Sequence, residues 1–369
     1  MHDHEHEHEF GADSEPTEVL DLNEVMQAFG IDEWRNLGPI DAHKSESLSI
    51  LIEAQGKQYI LREQVEAPLD TDTKHFYRFQ SYLEQEGIPI VPLRTTLTGE
   101  PMVAFEEDRF ELQEKPQGEL FSSADPRNLD QVGAAGAMLA RIHLLSQRYP
   151  GPRHRWPAEA QAGGLTQGWL NFARERAGVM ELQAVAAGLS NWVDQWEALL
   201  PSAMMSIGAS KNAPEFHIHG DYHAQNLLFG PRGITAVLGL NASRWERRLI
   251  ELAYGLFYFS ALEWRLDTQL TRPLVKRGLD PERARRFLGA YGTIFPPAPG
   301  EAARLSDAVA LVAPIVTVNG PLEDVFFAQD EVDDAAVIDD VLERLAWASS
   351  LPAWLGRVRG SLADMWEKA

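Results

Sequence analysis

The chain has 369 residues, a formal net charge of −22, 44% hydrophobic and 24% charged residues, and no cysteine. That length suits one large or two modest domains with a buried core, and the composition is that of ordinary globular proteins. Disulfides, thiolate catalysis and Cys-ligated zinc are excluded; no apolar run reaches the ~18 residues of a membrane helix; and the negative field opposes binding to nucleic acid or anionic lipid.

The opening "MHDHEHEHEFGADSEPTE" alternates His2, His4, His6 and His8 with acids. It lacks an apolar h-region, so a secretory signal is not expected, and the missing cysteines fit a cytoplasmic setting. Residues 1–18 cannot bury a core and read as a disordered tail. In an extended chain the four imidazoles share one side, where a transition metal such as zinc, nickel or copper finds ligands. A solvated acidic tail is the plainer reading.

Residues 19–118 carry mixed signals. "SLSILIEA" and "QYILREQ" read as strands joined by a turn at Gly56-Lys57. "DTKHFYRFQSYLEQEG" predicts a helix with Phe76, Phe79, Tyr82 and Leu83 on one stripe and Gly87 at its stop. "IPIVPLRTT", "PMVAFEE" and "RFELQEK" are strand-like, and "EKPQGE" resembles a linker. From 119 to 369 helical patterns dominate. "LDQVGAAGAMLARIHLLSQR", "LSNWVDQWEALL", "RRLIELAYGLFYFSALEW" and "AAVIDDVLERLAWASSLPAWL" are the clearest. The expected fold class is α+β and bilobal: a small strand-rich N-lobe, and a larger, mostly helical C-lobe. Ligand sites favour such domain interfaces.

The chemistry concentrates in "HIHGDYHAQNLLFG", residues 217–230, followed by "ITAVLGLN", residues 234–241. "FHI" reads as a short strand from which His219-Gly220-Asp221 departs in a turn. Asn226 follows five residues later, and "GPRG" returns the chain antiparallel. Such a hairpin, 217–241, gathers an acid, an amide and the end of a returning strand. Phosphoryl transfer to a hydroxyl uses that set: one carboxylate to orient the acceptor and take its proton, and oxygen ligands for magnesium.

The pattern H-G-D-x-H-x-x-N, a hairpin, and the later triplet Glu251-Leu252-Ala253 resembles the aminoglycoside phosphotransferase/choline kinase-like family. Homoserine-kinase-like and bacterial stress-response-kinase-like members are included. "GKQYILRE", "EGIPIVPLRTTLTGEP" and "LARIHLLS" extend the resemblance over most of residues 45–265. It implies a protein-kinase-like fold, ATP and Mg2+ as cofactors, a nucleotide and a small-molecule or protein acceptor as partners, Asp221 as catalytic base and Asn226 as metal ligand. It aligns Arg62 with the cation that steadies the phosphates, and makes Glu114 to Gly118 the hinge whose backbone faces adenine.

The chain also departs from that pattern. Relatives end the returning strand with a metal-binding Asp; here Gly239 and Asn241 stand in that stretch. Magnesium wants hard oxygen ligands, and glycine's hydrogen offers none. Residues two apart on a strand face the same side, so Asn241 would reach the site that Gly239 leaves empty. An aspartate at 239 would then need little rearrangement. No acid stands where the helix after Arg62 should supply its partner, because Lys74, His75 and Phe76 occupy those places. His219 is expected to support the loop, and His223 to touch substrate or line the loop. Arg244, Arg247 and Arg248 read as a solvated face, or else as cations that offset a missing metal. Three functions stay open: ATP-dependent phosphorylation of a hydroxyl; a pseudokinase that binds a nucleotide or metabolite as sensor or scaffold; and, third in rank, metal handling through the His-rich tail with the kinase-like body as a partner module.

Overall fold

The computed structural model describes residues 22–40, 49–63, 73–105, 108–209, 213–264, 274–275, 278–327 and 335–368. His2, His4, His6 and His8 lie outside them. The chain divides into two compact units: residues 1–66 with 93–115, and residues 67–92 with 116–369.

The first unit is an antiparallel sheet with one short helix, α1 (Leu22–Ala28). Its strands are β1 (Trp34–Pro39), β2 (Ser49–Ala54), β3 (Lys57–Glu63), β4 (Leu93–Arg94), β5 (Val103–Phe105) and β6 (Asp108–Glu114). The order is β1-β2-β3-β6-β4, with β5 on β6. Alternation sets the buried face: Ile50, Ile52 and Ala54 of β2, Tyr59 and Leu61 of β3, and Phe110 and Leu112 of β6 pack with Val25, Met26, Phe29 and Ile31. The β2/β3 loop is Gln55-Gly56, with φ of 51° and 74°. Positive φ at both central residues suits the twist of a tight hairpin, and it moves the expected turn back by one residue. "IPIVPLRTT" yields only the two residues of β4. Pro89 and Pro92 have no N–H to donate to a ladder.

The second unit is mostly helical. It contains α2 (Thr73–Gln85), β7 (Glu119–Leu120), α3 (Asn128–Ser146), α4 (Ala162–Val179), α5 (Gln183–Gly208), β8 (Glu215–Ile218), β9 (Leu227–Gly230), β10 (Gly233–Val237), β11 (Arg244–Arg247) and α6 (Arg248–Ala261). Then follow β12 (Leu262–Glu263), β13 (Leu274–Val275), α7 (Pro281–Ile294), α8 (Leu305–Val318), α9 (Glu323–Phe327) and α10 (Ala335–Glu367). The stripe expected for α2 is buried through Phe76, Phe79 and Leu83, and the Tyr82 hydroxyl donates to Leu145 O at 3.0 Å. Every residue of α8 is buried; the helix is mostly apolar, and its Asp307 is paired with Arg359 and bonded by Ser206. In α6 only Tyr254 and Tyr258 escape full burial; four residues apart, they share one stripe. Two small antiparallel pairings frame the site: β9 lies between β7 and β10, and β11 pairs with β8. Among the described residues no helix is long and apolar enough to cross a membrane.

Candidate active site

Strand β8 ends at Ile218, and His219-Gly220-Asp221 turns away from it. Gly220 has φ of 92°, and a Cβ there would strike the carbonyl of Ala242, so only glycine lets the two segments approach. His219 is fully buried. Its Nδ1 accepts from the Asp221 N–H at 3.2 Å, so the ring proton sits on Nε2, which donates to Leu238 O at 2.6 Å. Burial pushes its pKa down, which keeps the ring neutral. The Tyr222 hydroxyl donates to Ala135 O at 2.7 Å and pins the loop to α3.

His223 starts a single 3-10 turn, Ala224–Asn226, and its Nδ1 accepts from the Gln225 N–H. The proton is thereby assigned to Nε2, which lies 3.2 Å from Asp221 Oδ2. Asn226 Nδ2 donates to both the main-chain oxygen and Oδ2 of Asp221, each at 2.8 Å. The Asp221 side chain is 47% exposed, whereas Tyr222 and Ala224 beside it are buried. Burial opposes its ionisation, but the electrostatics and hydrogen bond of His223, with His219 and the Asn226 amide, outweigh it. The carboxyl is held well below the usual range. An ionised carboxylate, oriented by two donors and open on one side, can accept a hydrogen bond from an incoming hydroxyl.

The loop is held from behind by Glu251, the acid of the Glu251-Leu252-Ala253 triplet on α6. It is 1% exposed. Its Oε2 accepts from the His219 N–H at 3.0 Å and from His143 Nε2 at 2.8 Å; its Oε1 accepts from the Gly220 N–H at 2.5 Å. Burial alone would favour the acid form; the His143 hydrogen bond leads the effects that keep it ionised. His143 Nδ1 accepts from the Tyr291 hydroxyl at 2.7 Å, so the chain Tyr291–His143–Glu251 runs from α7 through α3 to the loop. Sequence reasoning assigned His143 and Tyr291 no role. The one available signal was a histidine between the apolar Ile142 and Leu144 of "LARIHLLS".

The return side differs from expectation. β10 stops at Val237, and Gly239 is left-handed, with φ of 75° and ψ of 27°; it opens a 3-10 turn, Leu240–Ala242. A Cβ at Gly239 would lie 2.6 Å from Asn226 Cγ. The space a side chain needs is therefore filled by Asn226, and an aspartate at 239 cannot enter without rearrangement. Asn241 is exposed on that turn, not on a strand. The two-residue alternation that would have aimed it at the site does not apply.

The remaining candidates lie on other elements. Arg62, on β3, faces Glu111 of β6 at 3.8 Å, so its partner acid comes from the neighbouring strand. Glu114 forms an ion pair with Lys57. Gly118, at φ of 134°, sits where a Cβ would lie 2.9 Å from Leu228 Cβ. Of the three arginines, Arg247 pairs with Glu215 and Arg248 is buried on Glu301. Only Arg244 reaches the loop, donating from Nη1 to Gly220 O at 3.2 Å. Tyr258 and Trp264 flank His223, with ring centroids 5.2 and 6.4 Å away. Among the described residues no group of three or more His, Asp or Glu is placed to hold a metal ion.

Residues 40–303 match the model of the phosphotransferase enzyme family. No curated protein matches the chain. Among solved structures, a microcompartment-associated aminopropanol kinase aligns with a TM-score of 0.61 and 16% identity, over 92% of this chain and 97% of that one. Spectinomycin phosphotransferase, solved with ADP and spectinomycin, aligns with a TM-score of 0.57 and 11% identity, over 91% and 97%. An aminoglycoside phosphotransferase from Alicyclobacillus acidocaldarius gives 0.56 and 14%, over 88% and 93%. At these identities the structures establish the fold, which is the kinase-like α+β fold. The family match spans well over half of the sequence, and the chain belongs to the phosphotransferase enzyme family.

Proposed function

We propose that the protein transfers the γ-phosphoryl group of ATP to a hydroxyl of a small molecule or protein, with Asp221 as the base that orients the acceptor. The observation that carries this reading is Asp221 itself: ionised, fixed by Asn226 and His223, and half-exposed between the buried His219 and Tyr222. The acceptor O–H donates to its free side. The acceptor oxygen forms a bond to the γ-phosphorus as the bond from that phosphorus to the bridging β-γ oxygen breaks. The proton passes to Asp221, and ADP leaves with the bridging oxygen. A loose transition state asks for position more than for base strength, so a low carboxyl pKa is no obstacle. Arg62 is assigned to the nucleotide phosphates, and the Glu114 to Gly118 backbone to adenine.

Magnesium, which the family implies, does not fit the donors this chain offers. Asn226, with its Nδ2 on Asp221, offers one neutral oxygen, Oδ1, Gly239 has no side chain, and Asn241 is exposed. That misfit favours a second reading, a pseudokinase that binds a nucleotide or metabolite without transfer. ATP hydrolysis separates the two. Asp221→Asn is expected to lower turnover by roughly 10²–10⁴-fold with no loss of Tm, as for a positioned base. Turnover unchanged by Asp221→Asn would sink the first reading. Absent turnover in the parent protein, together with stabilisation by ATP of about 2.7 kcal/mol at 100 Kd, would establish the second.

A further inference from the structure

The run "RWERR" at 244–248 contains three arginines with different fates. Arg247 Nε donates to Glu215 at 3.1 Å, and Arg248 Nε to Glu301 at 2.8 Å. Arg244, 2% exposed, has no ion pair among the described residues. Its Nη1 donates to the carbonyls of Gly220 and Ala242 at 3.2 and 3.3 Å. Its flat face stacks on Trp156, with Cζ 4.3 Å from the ring centroid. Its Nε is buried and has no acceptor among the described residues. Glu246 lies two residues on, on the same side of β11, yet its Oε1 accepts from the Arg247 N–H at 2.9 Å.

A buried guanidinium without an anion is costly, and this chain has 55 acids against 33 Lys and Arg from which to supply one. Nη1 and the stacked ring fix the plane of the group, and they leave the Nε edge, the fork that suits a carboxylate or phosphate, without an acceptor. The carbonyl that Nη1 holds directly precedes Asp221.

We propose that Arg244 is a specificity-determining residue: its Nε edge binds an anionic group, carboxylate or phosphate ester, that the acceptor carries beside the hydroxyl oriented by Asp221. The proposal rests on the reading of Asp221 given above. It makes the acceptor a hydroxylated acid rather than a purely cationic or neutral alcohol.

The test is an NMR titration of the full-length protein labelled with ¹⁵N-arginine, without nucleotide. The Arg244 Nε–H resonance is identified by its absence in Arg244→Lys. Glycerate and glycerol 3-phosphate are expected to shift it, and glycerol is not. Arg244→Lys should weaken glycerate binding at least about tenfold, because a point charge replaces the fork, while ATP still raises Tm. If ATP moves the resonance and glycerate does not, the edge serves the nucleotide, and the proposal is overturned. No movement with any of these anions overturns it as well, leaving Arg244 a structural pin. Should Arg244→Lys fail to fold, the parent titration decides alone, with the resonance assigned through its contacts to Trp156. Failure of the transfer reading is seen separately, as ATP turnover that Asp221→Asn leaves intact.

Discussion

The two sides of the 217–241 hairpin are built to different standards. On the Asp221 side the loop is tied at many points: His219 bridges it to Leu238, Asn226 and His223 hold the carboxylate, and Glu251 collects three donors beneath. On the return side Gly239 is left-handed, Asn241 is exposed, and the buried Ser243 hydroxyl has no partner among the described residues. The Asp221 half is overdetermined, while the return half, Leu238 to Ser243, brings no carboxylate to the site. The geometry of the loop depends on the Glu251 clamp behind it.

The sharpest way to break this comparison is Glu251→Ala. It leaves the His143 Nε2–H and the His219 and Gly220 amides buried without an acceptor. A loss of about 3–5 kcal/mol is expected in urea denaturation. A loss below about 1 kcal/mol would mean that the Asp221 side is not held by its clamp.

Gly239→Asp sharpens the other side. The substitution places a side chain at positive φ and in the space of Asn226, so about 2 kcal/mol of destabilisation is expected, with no gain in magnesium affinity. Asn226→Ala in the same chain should recover part of that loss. Calorimetric magnesium titration and thermal melting read both; tight magnesium binding by Gly239→Asp alone would show that Asn226 yields and the return half can hold the metal.

The smallest effect concerns His217, on β8 just before the loop. It is fully buried, and neither ring nitrogen has a hydrogen-bond partner among the described residues. Phe79, Tyr149 and Trp245 surround it, with His75 and His154 nearby. Burial, then the charges of His75 and His154, lower its pKa to about 4. A depressed pKa means that the unfolded chain binds the proton first. The stability His217 contributes is full above pH ~6.5 and falls as pH drops towards 4, by roughly 2 kcal/mol. His217→Phe should leave stability at pH 7 within about 1 kcal/mol and flatten that acid-side loss. Parallel pH profiles of the two proteins would refute the assignment.

Local pattern determined much of this protein. Alternation in "SILIEA" and "QYILRE" gave two strands with the right faces inward, and the α2 stripe named its own buried residues, because both periods act between near neighbours. The five-residue spacing from Asp221 to Asn226 placed acid beside amide, because one turn spans it. Tertiary structure alone decided what holds and completes the site. Glu251 acts 31 and 32 residues away from the amides it binds, and His143 reaches it across 108. The left-handed Gly239 closes a route that strand alternation left open, and Arg244 parts from its neighbours Arg247 and Arg248 only once each meets, or fails to meet, an acid. Buried hydrogen bonds and ion pairs join residues that no sequence period relates, so their partners emerge only when the chain is packed.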